Sequence, residues 1–245
     1  MQYETHKRSI LKAVSWRTWA TITTAIIVFI FTGEFALALT VGLLEVIAKM
    51  GLYVLHERLW QRIKYGKKEI PSFVLWFTGL PASGKKAIAQ KVYDKLKSMD
   101  LKVDRIDGRD VRPLFPETGF TPAEVNRHIR RSGHLCAMLE RNGVIVVASF
   151  VSPFRESRDF AREQARHFIE VYLKTTVEHC EERDEQGHYA KARLGEYQYF
   201  PGVHVDYEEP SNAEVEVEVD QISEDEAVEQ IVEYVRKKII KKEQS

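Results

Sequence analysis

An α/β fold, a parallel sheet with helices on both faces preceded by a two-helix hairpin, is predicted by three features of the 245-residue sequence. Beyond residue 70, short apolar runs alternate with amphipathic helical patterns, the order that builds a parallel sheet. A glycine-containing loop joins the first of these runs to the first helix. Before residue 70, two long apolar stretches are flanked by basic residues. Residues 1–70 hold ten Lys/Arg and five Asp/Glu, leaving 26 against 31 in the remainder. A basic segment beside apolar runs points to a membrane surface and away from nucleic acid.

The hairpin comes first in the chain. Trp19 to Phe31 (WATITTAIIVFIF) carries no charge, and after Thr32-Gly33-Glu34 the run Phe35–Leu55 is apolar except for Glu45 and Lys49. A bilayer is crossed by roughly 20 apolar residues. The second run has that length, and the first reaches it if Trp16 and Thr18 are included and Arg17 snorkels. Helices are therefore expected at about 16–32 and 35–56, forming a transmembrane hairpin. No cleavage site follows the first run, which argues against a signal peptide. Lys7, Arg8, Lys12 and Arg17 precede the hairpin and Arg58, Arg62, Lys64, Lys67 and Lys68 follow it, so both termini are expected in the cytoplasm, at the inner membrane. Glu45 and Lys49, four apart, are expected to pair. The KAVSWR start and LYVLHERLW end resemble an uncharacterised two-helix membrane family.

Residues 1–68 thus form one expected domain and 69–245 another. In the second, SFVLWFT (72–78) reads as a buried strand and AIAQKVYDKLKSM as a helix. Strands are expected at Lys102–Asp107, Val144–Phe150, Phe168–Leu173 and Val215–Asp220. Helices are expected at 122–141, 155–167, in segments through 176–195, and from Ser223, where Glu226 completes a capping box. Cys136 and Cys180 stand alone in helical patterns and read as buried, with no metal or disulfide pattern. Trp76 reads as core. His188 and His204 lack metal-ligand spacing and read as polar surface groups.

Chemistry is carried by Gly79-Leu-Pro-Ala82-Ser83-Gly84-Lys85-Lys86. Between a buried strand and a helix, this spacing reads as a phosphate-binding P-loop, which gives the α/β domain a nucleotide-kinase-like fold. Backbone amides cradle the phosphates and Lys85 reaches the outer ones. The full motif ends in Ser or Thr, whose hydroxyl ligates Mg²⁺. Here that position is Lys86, and an ammonium cannot ligate a metal.

Over about residues 72–222 the chain resembles adenylylsulfate (APS) kinase. FTGLPASGK matches the family's P-loop block, and Asp107-Gly-Arg109-Asp110-Val-Arg112 matches its DGDNVR. Phe120 and Ile129-Arg-Arg131 match its FS…NIRR segment, and Ser152-Pro-Phe-Arg155 its SP-aromatic-R turn. Cys180-Glu-x-Arg183-Asp184, Tyr189-Ala-Lys191-Ala-Arg193, Phe200-Pro-Gly202 and Tyr207-Glu-x-Pro210 follow its lid region in order. The resemblance implies transfer of the ATP γ-phosphate to the 3′-hydroxyl of adenylylsulfate, giving PAPS in sulfate assimilation, with Mg²⁺ as the usual ion. It implies Lys85 and Asp107 as catalytic residues and Gly79, Ala82, Ser83, Gly84, Lys85 and Lys86 around the phosphates. It also implies Arg112, Phe120 and Phe200 on adenylylsulfate, and Lys191 and Arg193 in a mobile lid. The implied partners are adenylylsulfate, the lipid bilayer, and either a second copy or a sulfate-assimilation protein. Four positions depart from the family: Lys86 for Ser/Thr, Arg109 for Asp, Val125 for a substrate-binding Arg, and His128 for Asn. The first two leave the sequence without metal ligands at the family positions. Three readings stay open: a working APS kinase, a nucleotide-binding regulatory pseudokinase, and a kinase with another acceptor.

Overall fold

The computed structural model describes residues 6–37, 40–42, 44–45, 48–49, 52–53, 58 and 72–243. The chain divides into two compact units, Met1–Lys67 and Lys68–Ser245.

In the first unit α1 spans His6–Thr32, so the helix begins ten residues before the expected start and takes in the basic segment. It ends as expected at Gly33, whose φ of 71° lets its N–H reach the Phe29 carbonyl at 2.8 Å. Helical residues resume at Phe35. Gly42 passes close to α1: a Cβ there would stand 3.5 Å from Thr21 Cγ2. Glu45 and Lys49 form the expected ion pair. Among the described residues no helix is long and apolar enough to cross a membrane, so the described part of the first unit does not by itself supply the expected transmembrane hairpin. The physical reason is dilution. The charge-free part of α1 is only WATITTAIIVFIF, preceded by Arg17 and interrupted by threonines whose hydroxyls fold back on the helix, as Thr23 does to the Trp19 carbonyl at 2.8 Å. Parts of the expected second helix, including its end, lie outside the described residues.

The second unit is a five-stranded, fully parallel sheet in the order β2-β3-β1-β4-β5. Its strands are β1 (Val74–Thr78), β2 (Val103–Asp107), β3 (Ile145–Ser149), β4 (Phe168–Lys174) and β5 (Val215–Glu218). Strand alternation sends side chains to two cores. Leu75, Phe77, Ile145 and Val147 join Ile88, Val92 and Leu96 of α2 (Lys85–Ser98) and Ile231, Val232 and Val235 of α8 (Glu224–Glu243). Val74, Trp76, Val146 and Ala148 face Ile129 and Cys136 of α4 (Pro122–Arg141) and Ala161 of α5 (Arg155–Gln164). Each fully buried aliphatic side chain is worth about 1.5–3 kcal/mol. That burial outweighs the screened surface pairs Lys91–Asp225 and Lys95–Glu229 that also join α2 to α8. Trp76 is core, fully buried, and both cysteines are buried and free.

Helices α4 and α5 cross at Gly133, where a Cβ would approach Ala161 Cβ to 2.5 Å. α5 stops three residues short of its expected end because Ala165 is already extended. The expected helical stretch 176–195 is two short helices, α6 (Val177–Glu182) and α7 (His188–Arg193), parted by Gly187 at φ 67°. A short helix, α3 (Gly108–Val111), was not expected. At the last helix, the Ser223 and Glu226 side chains each accept the other's backbone N–H, at 3.3 and 2.9 Å.

Candidate active site

The loop after β1 owes its shape to two glycines. Gly79 has φ 153°, and a Cβ there would meet the Leu173 carbonyl oxygen at 2.7 Å; Gly84 has φ 82° and opens α2. Ser83 N–H donates to the Leu80 carbonyl at 3.2 Å, closing the turn. Lys85 lies buried along this loop, its Nζ donating to the Leu80 carbonyl at 2.5 Å and to Ser83 Oγ at 3.1 Å. Burial pulls its pKa down to about 8, against the opposing influence of Cys180, so it is cationic at neutral pH.

Asp107 ends β2 and caps α3. Its Oδ1 accepts the amides of Arg109 at 2.8 Å and Asp110 at 3.2 Å, and Asp110 Oδ2 accepts the Asp107 amide at 3.0 Å. Its Oδ2 accepts from Arg105 Nη1 at 3.1 Å and lies 4.0 Å from Lys86 Nζ. Burial would raise this carboxyl, but the two amides and Arg105 outweigh it and hold the pKa below the ordinary value. The Lys86–Asp107 pair brings the phosphate loop and the end of β2 together, although β3 lies between β1 and β2 in the sheet.

The remaining expected residues fall into two groups. Arg112 lies over the exposed ring of Phe120, 4.1 Å from its centroid, and donates to the Thr118 carbonyl at 3.2 Å. Val125 packs against the core. His128 is 3% exposed with no partner on either ring nitrogen among the described residues; burial, then Arg112 and Arg131, push its pKa down to about 4. The second group lies on α7 and the chain that follows it. Phe200 is stacked on Tyr197, centroids 5.8 Å apart, and meets Tyr189 edge-on at 4.9 Å. Arg193 is held by both oxygens of Glu181, at 2.5 and 2.9 Å, while Lys191 is exposed on the same helix.

Sequence reasoning gave no role to several residues. Tyr189 donates its hydroxyl to the Pro81 carbonyl at 3.0 Å, tying α7 to the phosphate loop. Thr78 at the end of β1 bonds Tyr207 at 2.7 Å and Ser152 at 2.8 Å, and Trp76 Nε1 donates to Ser152 Oγ at 3.2 Å. Arg183 Nη2 lies 3.7 Å from where a Gly84 Cβ would be, and bonds Glu224 at 3.2 Å. Tyr189, Tyr207 and Arg183 all stood within motifs, but only the fold shows that they reach the loop or the strand before it.

The loop thus sets a buried lysine beside a capped aspartate at one end of the sheet. Residues 71–218 match the family described as adenylylsulphate kinase. The chain belongs to that family. Adenylyl-sulfate kinase from Halothermothrix orenii is 40% identical over 165 residues, covering 67% of this chain and 89% of the relative. The adenylyl-sulfate kinase of Thermodesulfovibrio yellowstonii is 43% identical over 171 residues, 69% of this chain and 86% of the relative. Among solved structures, the APS kinase of Mycobacterium tuberculosis in complex with AMPPNP and APS is 32% identical with a TM-score of 0.65, covering 68% of this chain and 98% of that one. Residues 10–61 match a second family, described as predicted membrane protein (DUF2061).

The metal that a P-loop ordinarily shares with its nucleotide is not matched by the donors present. Lys86 supplies an ammonium where a hydroxyl is required. Asp107 already receives two amides and a guanidinium, and Asp110 is committed to its cap. Among the described residues there is no cluster of three or more His, Cys, Asp or Glu able to hold a metal ion.

Proposed function

We propose that residues 69–245 transfer the γ-phosphoryl group of ATP to the 3′-hydroxyl of adenylylsulfate, at a membrane to which residues 1–68 attach the domain. The observation that carries this reading is the meeting of the phosphate loop and Asp107, joined through Lys86 at 4.0 Å. Phosphoryl transfer asks little covalent chemistry of a protein; positioning and electrostatic stabilisation supply the rate. Lys85 and the loop amides hold the donor phosphates, and the carboxylate of Asp107 orients the acceptor hydroxyl and takes its proton. Because Asp107 is held ionised by amides and Arg105, its part is more orientation than strong basicity. Arg112 and Phe120 present a cation and an aromatic face to the acceptor, and Phe200 a second ring; α7, with Lys191 and Arg193, closes over the phosphates. The family membership and the complex of the M. tuberculosis relative support the choice of donor and acceptor.

Membrane attachment is supported by the match of residues 10–61 and by apolar side chains left exposed in the first unit, among them Trp19, Ile30, Phe31, Phe35 and Leu52. The basic residues at both ends of the hairpin support a cytoplasmic kinase domain.

The test is turnover by the full-length protein in detergent, following ADP release and PAPS formation from ATP and adenylylsulfate. Adenylylsulfate-dependent product supports the reading, and ATP binding without any product refutes it. The substitutions Lys86 and Arg109 favour a second reading, a pseudokinase that binds nucleotide as a regulatory module; this reading is the one that would survive the latter result. Retention in the membrane pellet after alkaline carbonate extraction tests attachment, and release into the supernatant refutes integral insertion.

A further inference from the structure

We infer that Lys86 takes the place of the divalent metal, so that this domain binds ATP as the free polyanion and gains nothing from Mg²⁺. The inference rests on the phosphate-loop reading above and goes beyond it. In an ordinary P-loop the residue after the lysine offers a hydroxyl to the ion, and the ion neutralises the outer phosphates. Here that residue is the second of helix α2 and ends in an ammonium. Its Nζ lies 4.0 Å from Asp107 Oδ2, between the loop and the end of β2, and its side chain is 58% exposed, open to an arriving phosphate.

The groups around it are as unsuited to a cation as they are suited to an anion. Asp107 spends one oxygen on two amides and the other on Arg105 and Lys86. The carboxylate of Asp110 accepts the Asp107 amide. Lys85, Lys86 and Arg105 bring three positive charges to this end of the sheet, with Arg109 following on α3, against the carboxylates of Asp107 and Asp110. A divalent ion cancels about two units of phosphate charge. With that charge cancelled, the lysines and arginines would have less to attract, and the ion itself would meet Lys86. Like charges brought into one site repel, most strongly where water is partly excluded. Metal-free ATP is therefore the better electrostatic partner.

The experiment uses full-length protein in nonionic-detergent micelles and ATP as the probe, titrated by calorimetry in EDTA and again in excess Mg²⁺. The wild-type Kd is expected to be as low in EDTA as in Mg²⁺, or lower, within about threefold. Lys86→Ser should weaken metal-free binding by at least about tenfold and make Mg²⁺ tighten it. Lys86→Arg, which keeps the cation, should keep metal-free binding; thermal melts of both variants show that each is folded. Wild-type binding that tightens about tenfold or more with Mg²⁺ would overturn the inference and leave the kinase reading standing. A folded Lys86→Ser variant that binds metal-free ATP as well as wild type would also overturn it. Failure of the wild type to bind ATP in either condition would remove the phosphate-loop reading itself, an outcome distinct from both.

Discussion

Replacing Asp107 with Asn separates the two duties of that side chain. As a cap, the residue needs only an acceptor oxygen, and Asn keeps Oδ1 for the amides of Arg109 and Asp110 at 2.8 and 3.2 Å. What is lost is charge: the Arg105 bond at 3.1 Å weakens and the longer approach of Lys86 at 4.0 Å goes. A neutral amide is easier to bury than a carboxylate, which offsets part of the loss. The balance is a destabilisation of about 1 kcal/mol, or roughly 2–4 °C in Tm for a domain of this size. On the proposed reading turnover depends on the carboxylate, and removing a group that takes a proton costs about 10²–10⁴ in rate. The assay pairs a thermal melt with ADP release from saturating ATP and adenylylsulfate. Activity within about fivefold of wild type would refute the catalytic assignment and leave Asp107 a cap. A melt lowered by more than about 10 °C would refute the claim that the cap survives.

Three further substitutions test the frame around the site. Glu170 is buried and accepts from Arg158 Nε at 2.9 Å and Arg162 Nη2 at 3.0 Å; Glu170→Gln leaves Arg158 buried without its counter-charge and should cost about 3–5 kcal/mol in denaturant unfolding. Gly133→Val drives a side chain into Ala161 across the α4–α5 crossing, where even a Cβ would come within 2.5 Å, and should cost about 1–3 kcal/mol or more, read from the same curves. His128, with its pKa lowered from 6.5 to about 4, is neutral in the fold while the unfolded chain takes up a proton. Stability from this residue is therefore complete above pH 6.5 and is lost as pH falls toward 4, by roughly 2–3 kcal/mol; His128→Asn should flatten that part of the pH–stability curve, and an unchanged slope would remove His128 as its source.

The sheet was legible because a strand buried on both faces is mostly apolar, as VLWF is before Thr78, and because the Gly79–Lys85 spacing announces a strand before it and a helix after it. The capping box at Ser223 was equally local. The Asp107–Asp110 box was not seen, because a four-residue helix leaves no periodic signal; yet that box decides where both carboxylates point. It also engages one oxygen of Asp110, the neighbour of the acid replaced by Arg109. The reach of Lys86 to Asp107 was likewise beyond sequence, since the two residues are brought together only by β2 and β1 flanking β3. In the first unit, threonines and Arg17 dilute the apolar content of α1, and much of the expected second helix lies outside the described residues.

The two tyrosine bonds at the ends of the lid give it a mechanical property. Tyr189 holds the Pro81 carbonyl within the phosphate loop, and Tyr207 holds Thr78 on the last residue of β1. The chain between them is therefore pinned at both ends to one strand and the loop that follows it. Displacing this segment at its Tyr189 end would break the bond to Pro81, so its position and the shape of the loop are coupled.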